Sequence, residues 1–228
     1  MSTFARGLFV ACALGLFGST HAVASDKAEP VAPFLKGDVE AGGTKAATCA
    51  ACHGPGGNSA NPIWPSLAGQ GAPYIYAQLK AFKKGMGGGQ SEQDKAEMRM
   101  DPVMSAQAMS LSDQDMQDLA VFFAAQSPKP GVASEDSVAI AQPLYRAGDA
   151  ERGVPACASC HGPTGAGNPA AGYPRIGAQQ ADYTAKQLKA YRSGERKAGA
   201  HGLIMAEVAA KLSDEEIAAL ASYLNGLQ

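Results

Sequence analysis

Cys49-Ala50-Ala51-Cys52-His53 places two thiols three positions apart with an imidazole directly after them, and Cys157-Ala158-Ser159-Cys160-His161 repeats the arrangement in the second half of the chain. Two thiols at that spacing on a helical turn can each bond one vinyl group of a single haem, and the histidine that follows then serves the iron as an axial ligand. The pair of motifs therefore implies two covalently bound haem c groups, held by Cys49, Cys52 and His53 and by Cys157, Cys160 and His161. Of the five cysteines, Cys12 lies near the N-terminus and the other four all belong to these motifs, so a disulfide framework has no cysteines left to use. A structural zinc site would need a second ligand pair in each half, which neither half has.

Working outward, Gly54-Pro55-Gly56-Gly57-Asn58 and Gly162-Pro163 stop the chain just beyond each histidine and leave the imidazole at a helix end. Ahead of the first motif, Phe34 to about Cys52 reads as one helix with Gly42-Gly43 as a soft point; ahead of the second, a helix from about Asp136 to Ala147 leads in through Gly148-Asp149 and Gly153-Val154-Pro155. Loops carrying Pro65 and Pro174 follow. Next come matching helices, one opened by Pro73 and closed by Gly85, the other from Tyr183 to Tyr191, sharing the string Gln-Leu-Lys-Ala at 78–81 and 187–190. A glycine-rich polar insert from Gly85 to about Asp94 occurs only in the first half. Glu97 to Met109 reads as less regular and holds Met98, Met100, Met104 and Met109. Each half closes with a capped helix, at Leu111-Ser112-Asp113 and at Leu212-Ser213-Asp214, where Ser213 and Glu216 form a capping box. The two halves are an internal duplication, and the expected fold is all-α.

The 228 residues divide as a secretory signal at 1–24, a first domain at 25–126, a linker at 127–135 and a second domain at 136–228. Arg6, the apolar run from Leu8 to Phe17 and the small residues Ala22-Val23-Ala24 carry the signal reading, and the run is short of the ~20 residues a spanning helix needs. Net charge is −2, from 19 basic and 21 acidic residues, so nothing marks a nucleic-acid partner. With aromatics at 7%, each half is poor in large core side chains, and a haem fills that deficit.

The sixth ligand decides what such irons do: a closed pair of ligands shuttles electrons, whereas an exchangeable position binds peroxide or oxygen. Beyond the signal, His53 is the only histidine of the first half, and Met205 is the only methionine of the second. Met205 lies seven residues before Leu212, and seven back from Leu111 is Met104, which singles out Met104 over Met98, Met100 and Met109. The expected metal ligands are then His53 with Met104 and His161 with Met205. A His/Met pair raises the reduction potential by favouring ferrous iron. His201, four residues before Met205, is a rival ligand that reads better as a surface residue or one packed beside a ligand. The carbonyls of Pro65 and Pro174 could accept the second ring N–H of each axial histidine, or the prolines could only shape their loops.

Together, the two CxxCHGxxG motifs, the Pro65 and Pro174 loops followed by Gly69-Gln70 and Ala178-Gln179, the tyrosine-led Gln-Leu-Lys helices and the methionine ahead of each Leu-Ser-Asp helix resemble the di-haem class I cytochromes c, most closely the cytochrome c4 group. The resemblance covers nearly all of the chain after the signal. It implies two tandem class I cytochrome c domains related by a pseudo-twofold, haems near their interface, and periplasmic electron delivery to a terminal oxidase, with a quinol-oxidising complex or other redox protein as donor. It also favours the carbonyl role for Pro65 and Pro174. The first-half insert departs from symmetry, so the register of Met104 is counted across an irregular stretch. Two rival functions remain: a di-haem enzyme resembling the bacterial cytochrome c peroxidases, and a redox module of one particular dehydrogenase complex. The carrier reading expects no small-molecule substrate, and whether the chain associates peripherally with a membrane stays open.

Overall fold

The computed structural model describes Met1 and residues 35–87 and 91–228; the expected signal, the lead-in to Pro33 and Gly88-Gly89 lie outside the described residues. The described residues from 35 to 228 make one unit. Its first half runs through α1 (Val39–Lys45), α2 (Ala50–His53), α3 (Ala72–Gly87), α4 (Glu92–Glu97), α5 (Pro102–Met109) and α6 (Asp113–Ala124). The second runs through α7 (Glu135–Ala147), α8 (Cys157–His161), α9 (Ala181–Arg192), α10 (Gly199–Ala209) and α11 (Asp214–Gly226). Among the described residues, β-pairing is limited to two isolated bridges, Asp149 with Val154 and Asn168 with Tyr173. No described helix is long and apolar enough to cross a membrane.

The capped helices form as their sequences dictate. Ser112 accepts the Asp115 N–H and Ser213 the Glu216 N–H, and each acidic side chain returns the bond to its cap. From α6, Met116, Leu119, Ala120 and Phe123 turn inward, each larger side chain contributing about 1.5–3 kcal/mol by burial. Their counterparts on α11 are Ile217, Leu220, Ala221 and Leu224.

Three local expectations are corrected. The helix read from Phe34 to Cys52 is two helices: α1 ends at Lys45, residues 46–49 form a turn in which Cys49 N–H bonds the Ala46 carbonyl, and α2 restarts at Ala50. Gly42 is no soft point. It lies inside α1 where that helix crosses α6, and a Cβ there would fall 2.2 Å from the Asp118 carbonyl oxygen, so glycine permits the close approach. The stretch read as irregular, Glu97 to Met109, contains α5, and α4 ends where that stretch begins. Asp101 caps α5 by accepting from the Val103 and Met104 N–H groups, and Pro102 occupies its first turn, where no N–H is needed.

Asp118 on α6 ties α1 down. Buried in the crossing, its carboxylate accepts from Lys45 Nζ at 2.5 Å and from the Asp38 N–H and Gln114 Nε2, each at 2.8 Å. The Lys45 ammonium, first, and the Asp38 N–H hold this carboxyl below the usual carboxylate range, while Asp115 and Asp118 raise Lys45. A depressed carboxyl contributes stability that is present above its unfolded value near ~4 and lost as pH falls through the folded value. Asp118→Asn is expected to cost the first half about 2–3 kcal/mol at neutral pH by loss of charge-assisted bonds. It should also flatten the acid limb of stability, and urea unfolding from pH 3 to 7 checks both effects.

The segment from Ser127 to Ser134 is pinned to both halves: Asn58 Nδ2 donates to the Ser127 carbonyl at 3.0 Å, the Lys129 N–H donates to Asn58 Oδ1 at 2.9 Å, and the Gly131 N–H donates to the Asn225 carbonyl at 2.9 Å. Where the halves meet, Arg99 bonds Gln78, Gln187 and Tyr183, and Arg196 bonds Gln187, Gln78 and Tyr74. The two arginines are counterparts, since the N–H of Arg99 bonds the Ala81 carbonyl and that of Arg196 the Ala190 carbonyl. Arg196 is only 8% exposed.

Candidate haem sites

Each site begins with one short turn of helix. Cys49 caps α2 and Cys52 lies one turn on, so the two side chains share a face; Cys157 and Cys160 do the same on α8. All four thiols are unpaired and half-buried. Burial pushes the Cys49 thiol up and the Cys157 thiol up to about 11, which argues against a reactive thiolate at these positions. Directly after each histidine, Gly54 (φ 75°, ψ 164°) and Gly162 (φ 78°, ψ 163°) turn the chain away in a conformation that only glycine adopts readily.

The returning loop fixes the imidazole. The Gly57 carbonyl accepts the N–H groups of Leu67 and Ala68, and the Gly165 carbonyl those of Ile176 and Gly177. Pro65 and Pro174 are thereby held beside the histidines. His53 Nδ1 lies 2.8 Å from the Pro65 carbonyl oxygen and His161 Nδ1 2.9 Å from that of Pro174. Since a carbonyl only accepts, each Nδ1 carries the proton, and Nε2 keeps the lone pair a metal requires. Burial pushes both imidazoles down, which favours that neutral form.

Met104 and Met205 are half-buried on α5 and α10. Each lies one turn before an alanine with no exposure, Ala108 and Ala209, and those alanines accept from the Leu111 and Leu212 N–H groups that start the closing turns. Met100 and Met109 are more than half exposed, and Met98 is half-buried at the end of α4. His201 is exposed and packs edge-on against Tyr173 with ring centroids 5.0 Å apart; Tyr173 in turn lies 6.2 Å from the His161 ring. Tyr173 was not singled out by the sequence reading, although Trp64-Pro65 and Tyr173-Pro174 are visible there as matched aromatic-proline pairs.

The residues present fit a haem in each half. Among the described residues, an apolar cluster of Ala46, Ile75, Leu119, Ala120 and Phe123 in the first half packs against half-buried groups that include Cys49, and so sets the anchoring thiol beside an apolar wall that suits a porphyrin. Among the described residues, neither Arg99 nor Arg196 has a carboxylate within ion-pair distance. Inward-lying cations with neutral partners suit a cofactor that brings its own carboxylates.

A duplicated helical frame with a covalent haem anchor in each half defines a di-haem class I cytochrome c. The chain belongs to the cytochrome c family, whose model matches residues 39–126 and 144–228. It is similar to cytochrome c4 from Azotobacter vinelandii, with 42% identity over 94% of either chain. The crystal structure of reduced recombinant cytochrome c4 from Pseudomonas stutzeri superposes with a TM-score of 0.78 and 44% identity, covering 84% of this chain and all of that one. A protein named thiosulfate dehydrogenase electron acceptor, from Stutzerimonas stutzeri, is 36% identical over 78% of each chain.

Proposed function

We propose that this di-haem electron-transfer cytochrome works in the periplasm, accepting electrons from a quinol-oxidising complex or another redox protein and delivering them to a terminal oxidase, with no substrate of its own. Haem, when bound, supplies one-electron exchange at its iron. His53 and His161 would hold it through Nε2, their rings locked by the carbonyls of Pro65 and Pro174. Met104 and Met205 would supply the second ligand of each iron. The observation that carries this reading is the matched placement of those methionines, one turn before a fully buried alanine in both halves. A thioether in each sixth position favours ferrous iron and leaves no site for peroxide, which weighs against the peroxidase-like enzyme.

A redox-poised titration with visible and near-infrared spectra provides the test. Two low-spin irons, each showing a methionine-to-iron band, are expected. One high-spin iron that binds cyanide readily sinks the carrier reading. A second reading, a redox module serving one dehydrogenase, is favoured by the similarity to a named dehydrogenase electron acceptor. Reduction by one purified dehydrogenase and not by a quinol-oxidising complex separates the two.

A further inference from the structure

The peptide that locks each axial histidine is itself gripped by the opposite half. The Pro65–Ser66 peptide offers its carbonyl to His53 Nδ1 at 2.8 Å and its N–H to Gln179 Oε1 at 2.8 Å. The Pro174–Arg175 peptide offers its carbonyl to His161 Nδ1 at 2.9 Å and its N–H to Gln70 Oε1 at 2.8 Å. Each glutamine completes the grip by donating Nε2 to the carbonyl of the same residue, Ser66 or Arg175, at 2.9 Å. Its Oε1 also accepts the next backbone N–H, of Gln180 or Gly71, at 2.9 Å, so this bonding fixes which end of the amide is oxygen. The chain is set for this aim: Gly69 at φ 67° and Ala178 at φ 60° precede the glutamines, and Ala178 is the only non-glycine with positive φ among the described residues. A side chain held in that region is a mark of imposed strain.

We propose that Gln179 and Gln70 are positioning residues that set, across the seam, the donor strength of the axial histidine in the other half. A peptide is conjugated from N to O, so an acceptor on its N–H shifts negative charge onto its carbonyl. Hydrogen bonds in series strengthen one another, more so away from water, and Gln70 and Ser66 are only 7% and 8% exposed. The stronger carbonyl draws the Nδ1 proton harder and makes Nε2 a more basic ligand, which favours ferric iron and lowers the potential. Gln179 therefore holds down the potential at His53, and Gln70 that at His161. The inference rests on the reading of His53 and His161 as iron ligands, and adds that closing the seam tunes both irons.

The test uses the full haem-loaded chain with Gln179→Leu, Gln70→Leu and, as a seam control outside the relay, Gln180→Ala, which removes the bond from Gln180 Nε2 to the Ser59 carbonyl. Spectropotentiometry reads the two potentials, assigned to their halves with Met205→Ala, and proton NMR of the reduced protein reads the histidine Nδ1–H resonances. Gln179→Leu is expected to raise the potential at His53 and move its Nδ1–H upfield, with the His161 iron unchanged. Gln70→Leu should do the reverse, and Gln180→Ala neither. Should Gln179→Leu load haem poorly, Gln179→Ala removes the same acceptor with less bulk and is expected to move the His53 potential upward in the same way. A shift in the variant's own half, an equal shift of both irons, or no shift in either overturns the proposal. Failure of the ligand reading would show separately, as an unligated spectrum of the unsubstituted protein.

Discussion

Met205→Ala is expected to abolish the low-spin ferric spectrum and the methionine-to-iron band of the second half while leaving those of the first half in place. Met205 is the only methionine in the second half, so no thioether there can replace it. The helix itself should survive, because alanine is the better helix former and the buried contacts of α10, Gly202 and Ala209, are untouched. The side chain nearest to rescue is His201, one turn earlier, exposed and resting on Tyr173. A switch of that half to a bis-histidine spectrum would mark it as the substitute, whereas an unchanged spectrum would show Met205 is not the ligand. The matching change Met104→Ala should act less cleanly, since Met98, Met100 and Met109 are close in sequence.

Gly54→Ala should cripple the first haem site far more than Gly162→Ala cripples the second, although the two glycines share one conformation. Both have φ near 75–78° and ψ near 164°, so alanine at either position costs about 1–3 kcal/mol in backbone strain. The surroundings differ. At Gly54 a Cβ would lie 2.0 Å from the Asn58 carbonyl oxygen and 2.7 Å from its carbon, both backbone atoms that cannot swing aside. At Gly162 the nearest atom is the Gly167 carbonyl oxygen at 4.0 Å. The added overlap should bring the cost at Gly54 to roughly 3–5 kcal/mol. Urea unfolding followed at each haem absorbance, with haem content per chain, tests the contrast. Equal losses in the two halves would mean that the turn after the histidine is more pliable than its geometry implies.

Much of each site was legible because its parts are local. The CxxCH spacing, the glycine after it and the Ser-Asp caps of α6 and α11 act within one or two turns, where side chain and backbone meet whatever the rest of the chain does. The repeat added a register, and with it Met104 and Met205 as the candidate second ligands. Local rules failed where a distant element intervened. Ala46 to Cys49 holds no glycine or proline, yet the helix breaks there and restarts at the haem-anchoring turn. Gly42-Gly43 looked like weakness and proved to be the contact surface for α6. For α5 the local signs, Asp101 and Pro102, were present; a short run in which methionine and alanine fall on all sides has no one-sided apolar stripe to announce a helix.

Sequence by itself determined that two haems are covalently anchored on a duplicated helical chain, and which residues are the candidates to close each iron, because those properties depend on spacing and count. Only the tertiary structure decided how the halves answer each other. Gln179 and Ser66 are 113 residues apart, and Gln70 and Arg175 are 105 apart. Bonds over such separations exist only once both halves have folded and met, since no local preference brings the groups together and each is as well satisfied by water until the seam excludes it.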